Sequence, residues 1–169
     1  MIYYTILKNN IRDTYYKGEY KKSNDNLKIL YETILIDKQI YLLERDEIIL
    51  YYYYYKVKIL LAQKNFKNAL FLCLKSFRYV PIDDRDKYNS EYKKMLELLA
   101  KIYKNLAKKK QAIKTYEYLL SLSNKKDYKT ILENLNDLRQ NTQIVTFTNK
   151  QNKKYDSNKE SNLKFCCYF

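Results

Sequence analysis

The sequence predicts an all-α chain of antiparallel helical hairpins stacked as a short solenoid. Apolar residues recur at spacings of three and four from Ile6 to about Arg139, the helical period. Glycine and proline are nearly absent, one of each, at Gly18 and Pro81. Turn-rich β architectures need many of both. The connections between periodic stretches are mostly short, so neighbouring helices should pack as antiparallel pairs.

In chain order, the pattern predicts helices over 3–16, 21–36, 45–63, 67–79, 90–107, 110–122 and 127–139. Asn89 or Ser90 can cap the fifth and Asn124 the last, each by accepting an orphan backbone N–H. Pro81 marks the stop after the fourth. After Asn141 periodicity gives way to an Asn-, Lys- and Ser-rich run. The expected organisation is one helical domain, 1–140, followed by a disordered basic tail, 141–169.

Composition closes off many functions. The chain has no histidine, which removes imidazole acid–base chemistry, His metal sites and the usual Ser/His or Cys/His pairs. A single glycine excludes the phosphate-cradling and dinucleotide-binding loops that need several. The expectation is therefore a protein that is not an enzyme and takes no cofactor or metal. No secretory signal or stretch of 18 uncharged apolar residues is read, and three cysteines make no disulfide framework. A cytoplasmic protein is expected.

Formal net charge is +14, unevenly distributed. Residues 1–50 hold eight basic and eight acidic side chains, so the excess lies beyond Leu50. A positive half can attract nucleic acid, anionic lipid or acidic peptide. Codon bias toward A/T would equally enrich Lys, Asn, Ile and Tyr, so the charge alone does not choose among these.

A repeat is visible in "LELLAKIYKNLAKKKQAIKTYEYLLSLSN": Leu96, Leu99-Ala100 and Tyr103, then Ala112, Tyr116 and a stop near Asn124. Superimposing Ala69 on Ala112 gives Tyr53, Val57, Leu60, Ala69, Cys73 and Pro81, with Lys56 at an otherwise apolar position. A first unit aligns through Lys17–Tyr20, with Leu7, Ile11, Ser23, Leu27 and Leu35. This pattern resembles the tetratricopeptide repeat. It implies units at about 4–36, 47–81 and 90–123, with 127–139 as a capping helix. Small residues at 69, 100 and 112 would let paired helices approach closely.

"YYYYY", 51–55, would sweep about 400° on a helix, more than a one-sided core accepts. Periodicity puts Tyr53 with Ile49, Val57 and Leu60, a stripe assigned to packing against 67–79. Tyr51, Tyr54, Lys58 and Leu61 form a second stripe, which the resemblance turns toward a concave groove. Its counterparts are Thr5, Lys8, Arg12 and Tyr15, and Lys94, Glu97, Lys101 and Lys104. A basic, tyrosine-walled groove suits a protein partner or acidic peptide segment. The residues expected to bind it are Lys8, Arg12, Tyr15, Tyr51, Tyr54, Lys58, Lys94, Lys101 and Lys104.

Other motifs offer alternatives. "KNLAKKK", 104–110, is the densest basic patch and could hold nucleic-acid or lipid phosphate. The alternative function is accordingly a nucleic-acid-binding module using the basic C-terminal half. "DDRD", 83–86, lacks the glycine and distal glutamate of a calcium loop and reads as a polar connection. Cys73, in "ALFLCLKSF", reads as a small buried hydrophobe. The ending Cys166-Cys167-Tyr168-Phe169 has the length of a prenylation box, which would lipidate Cys166 and bring a membrane partner. Membership of a larger assembly is also open. The leading expectation is a protein–protein interaction module.

Overall fold

The computed structural model describes residues 2–37, 42–80, 89–122 and 129–139. Among them all regular structure is helical: α1 (Ile2–Tyr16), α2 (Tyr20–Ile36), α3 (Leu42–Ala62), α4 (Phe66–Ser76), α5 (Asn89–Asn105), α6 (Lys109–Ser121) and α7 (129–139). A 3-10 turn, Phe77–Tyr79, follows α4. Expectations for Pro81, the 83–86 carboxylates, Asn124, the tail 141–169 and Cys166 fall outside the described residues.

Three hairpins form, α1 on α2, α3 on α4 and α5 on α6. They are joined in series, because α2 also packs on α3 and α4 on α5. The odd helices meet as well, α1 with α3 and α3 with α5. Tyr51 reaches Lys8 and Lys58 reaches Tyr16, so α1 and α3 run parallel. Lys56 reaches Asn24 while Tyr52 packs on Tyr31, so α2 and α3 run antiparallel.

One local geometry closes all three hairpins. Gly18, Lys64 and Ala107 sit in the left-handed region, with φ of 77°, 58° and 56°. Each donates its N–H to the carbonyl three residues back, on Tyr15, Leu61 and Lys104 at 3.0, 3.0 and 3.1 Å. The following residue bonds five back: Glu19 to Thr14, Asn65 to Leu60, Lys108 to Tyr103, at 2.9, 2.8 and 2.9 Å. This pair of bonds is the Schellman closure, which satisfies carbonyls left open at a helix C-terminus. The next helix then starts at once.

The buried register repeats with the turns. Five residues after the left-handed position stand Ser23, Ala69 and Ala112, and seven before it Ile11, Val57 and Ala100; all six are 0% exposed. Small side chains here let the two helices of a hairpin touch. Ser23 even donates its hydroxyl to the Ile11 carbonyl across the pair, at 3.1 Å. Nine residues after, Leu27, Cys73 and Tyr116 fill the centre of each hairpin. Cys73 is the buried hydrophobe the sequence predicts, its thiol pushed up to about 12 by burial.

Two positions depart from expectation. Leu35 is exposed, because the inner face of α2 runs Ser23, Leu27, Leu30, Ile34 and the next residue is rotated by about 100°. Lys56 keeps its place in the apolar register by donating to the Asn24 side-chain oxygen in the α2–α3 seam. At the far end α7 covers the last hairpin: Ile131, Leu135 and Leu138 join Ala112, Tyr116 and Leu119 in one core. Arg139 also pairs with Glu117 at 2.7 Å.

The turns generate a prediction. Gly18 has open space where a Cβ would stand, so Gly18→Ala meets only the left-handed backbone penalty and should destabilise by about 1 kcal/mol. Ala107→Gly relieves that penalty but frees the unfolded chain, a net gain of about 0.5 kcal/mol. Urea midpoints moving in opposite directions for the two variants would bear this out.

Candidate functional site

Thirteen, ten, six and three residues before each left-handed position the register reads Thr5, Lys8, Arg12, Tyr15; then Tyr51, Tyr54, Lys58, Leu61; then Lys94, Glu97, Lys101, Lys104. Not one of these twelve side chains is buried, whereas the positions eleven and seven residues before each turn, Leu7, Tyr53, Leu96 and Ile11, Val57, Ala100, are buried in all three hairpins. Because α1, α3 and α5 touch in sequence, the three stripes make one surface. The residues named from sequence as a groove therefore share a face, with α3 at its centre.

The five tyrosines of α3 each find a different neighbour. Tyr51 donates its hydroxyl to the Lys8 carbonyl at 2.5 Å, and the Lys8 ammonium lies 5.5 Å from its ring centre. Tyr52 packs on Tyr31 of α2 at 4.8 Å. Tyr53 is buried and stacks on Tyr79 at 5.5 Å, in the direction that its stripe predicts. Tyr54 faces α5; burial first, then Tyr55 and Tyr16, then Glu97 raise its pKa to about 12. Tyr55 is buried against Tyr51 and Tyr15, at 4.8 and 5.6 Å.

Lys58 is the electrostatic centre of this face. Its ammonium lies 4.3, 4.7, 5.1 and 5.2 Å from the ring centres of Tyr15, Tyr16, Tyr54 and Tyr55. A cation among four negative ring faces is held electrostatically, and two of those rings belong to another helix. Lys58 therefore clamps α1 to α3.

On α5 the lysines are also engaged. Lys101 pairs with Glu97 at 2.6 Å and Lys94 with Glu91 at 3.5 Å, both at helical spacing. Arg12 lies 3.4 Å from its neighbour Asp13, and Lys104 is exposed in the last turn of α5. The face is thus more aromatic and less freely cationic than the lysine count in the sequence implies. Tyr16 and Tyr55 belong to it and were not among the expected residues. The spacing of Tyr54 and Tyr55 four and three residues before Lys58 carries part of that signal; Tyr16 comes from 42 residues away.

Burial raises the pKa of Tyr51 and Tyr54, so both stay neutral, each half-buried with part of its ring at the surface. Among the described residues no cluster of His, Cys, Asp and Glu is arranged to hold a metal ion, and no helix is long and apolar enough to cross a membrane.

Two predictions come from this geometry. Lys58→Gln should destabilise by about 1–2 kcal/mol, with Lys58→Arg closer to the parent, read from urea melts. Burial raises the pKa of Tyr4, Tyr54 and Tyr116 to about 12 in the folded chain, so their contribution is complete below about pH 10 and is lost as pH rises toward 12. In an alkaline titration, tyrosinate absorbance from Tyr4, Tyr54 and Tyr116 should therefore rise together with loss of helical circular dichroism; their ionisation with helix content intact would contradict the linkage. Comparison with protein-family models, curated proteins and solved structures gives no match to this chain.

Proposed function

We propose that the chain is a non-catalytic interaction module, a short tetratricopeptide-like solenoid that holds a segment of a partner protein across α1, α3 and α5. The observation that carries this reading is the open register: the same four positions in three successive hairpins stay at the surface, and around α3 they are lined with tyrosine. Tyrosine gives large contact area at low rotamer cost, which suits a peptide-binding surface. Lys8, Arg12 and Lys104 rim the tyrosines and favour an acidic segment; Lys58 contributes indirectly by fixing the rings.

Charge reversal must therefore avoid Lys58, whose loss would disturb the face itself. The test is affinity capture from nuclease-treated lysate with the parent and with an Arg12→Glu, Lys104→Glu variant. A discrete protein should survive high-salt washing on the parent and be retained at least about tenfold less by the variant, at unchanged helicity. Equal capture by both proteins would refute the groove.

A further inference from the structure

The three hairpin turns share more than backbone geometry. Cys73 reaches Met95 and Phe77 packs on Tyr92, so α5 is antiparallel to α4 and parallel to α3 and α1, and Gly18, Lys64 and Ala107 all lie along one edge of the molecule. Seven-residue windows centred on them, 15–21, 61–67 and 104–110, contain eight lysines and one carboxylate, Glu19. These are Lys17 and Lys21, Lys64 and Lys67, and Lys104 with Lys108–Lys110. All but the half-buried Lys109 are exposed, and no ion pair engages any of the eight among the described residues. Glu19 is answered by Lys22, at 3.5 Å.

The opposite edge, where the odd helices begin, is mixed: Asp37, Glu44, Asp46, Glu47 and Glu91 stand there with Arg45, Lys75, Arg78, Lys93 and Lys94. Lysines thus outnumber carboxylates eight to one in the turn windows, whereas cations and carboxylates are about even at the opposite edge. The lysine excess is smallest at the first turn, where Glu19 and Asp25 stand beside Lys21 and Lys22, and largest at the third.

Aromatic surface accompanies the charge. Tyr16, 69% exposed, and the half-buried Tyr20 and Phe66 stand beside the first two turns. Between those turns lies a cleft of about 340 Å³ lined by Tyr20, Lys21, Asn24, Lys56 and Gln63, with apolar Ile59 and Leu60 at its base. Packed helices lie about 8–10 Å apart, so the lysine groups form a row rather than a point. A row of cations interleaved with aromatic faces is how unstructured strands are held, phosphates on lysine and bases stacked. The exposed apolar residues a membrane would require, Ile6, Ile36 and Phe71 among them, lie away from this edge.

We infer that the turn edge is a binding site for single-stranded nucleic acid, a surface that meets the α1–α3–α5 face at Tyr16 and Lys104 but does not depend on that face's proposed function. The test is fluorescence anisotropy of the full chain with a labelled thymidine strand of roughly twelve nucleotides. Binding should weaken with salt, with a log–log slope of about −2 to −4 for three to five neutralised phosphates. Lys21→Glu, Lys67→Glu, Lys109→Glu, one change per turn, should lower affinity at least about tenfold and flatten the slope. The matched control Lys28→Glu, Lys75→Glu, Lys129→Glu has the same net charge and should change affinity less than about threefold. The gentler Lys→Gln triple at the edge keeps the comparison informative should the reversals disturb folding. Absence of binding at low salt, equal loss in edge and control variants, or tighter edge-dependent binding to phosphatidylserine vesicles than to the strand would each overturn the assignment.

Discussion

Helix α3 cannot be satisfied by a one-sided core, and the architecture follows from that constraint. Its five tyrosines cover more than a full helical turn, each with a ring to bury and a hydroxyl to keep near a polar partner or solvent. The fold meets the demand by surrounding α3. Lys8 of α1 accepts from Tyr51, Tyr31 of α2 packs on Tyr52, Tyr79 beyond α4 stacks on Tyr53, and α5 stands beside Tyr54. A hairpin alone offers α3 one neighbour. Three hairpins in series supply the rest, so the central unit depends on those either side of it, as stacked repeats do.

The repeated turn makes the stacking regular. Left-handed residues at 18, 64 and 107 are 46 and 43 residues apart, yet the bonds that close each turn agree within about 0.1 Å. Helix length absorbs the difference, with 15, 21 and 17 residues in α1, α3 and α5. Packing registers are set by distance from the turn, so extra residues at the far ends of the helices leave the hairpin centres unchanged. That is why Ser23, Ala69 and Ala112 serve the same purpose despite unequal spacing.

Much of the fold was legible because helical periodicity is local. All seven predicted helices have counterparts whose ends differ by a few residues, and Tyr53 packs where its stripe points. The turns were legible only at Gly18; Lys64 and Ala107 take the same conformation without the glycine that would announce it. Leu35 was misplaced because one residue of register decides inside from outside near a helix end. The stripe of Tyr51, Tyr54 and Lys58 could be written from spacing, but the state of its charge could not. Whether Lys58 is a free cation or a clamp depends on Tyr15 and Tyr16, which reach it only after α1 and α3 have packed.

That dependence separates two uses of one residue type. A lysine in the middle of a helix has neighbours three and four residues away and rings from the adjacent hairpin, so its charge is taken up by the fold: Lys58 by tyrosines, Lys101 by Glu97, Lys56 by Asn24. At a turn the helix has ended, fewer side chains are in reach, and the charge remains directed outward. The lysines of 15–21, 61–67 and 104–110 are in that second condition, three groups of them, brought into line by the parallel odd helices. Total charge therefore overstates what the aromatic face can offer an acidic ligand and understates what the turn edge can. Among the described residues the three turns carry eight lysines against one carboxylate, and the aromatic ring contacts cluster around α3.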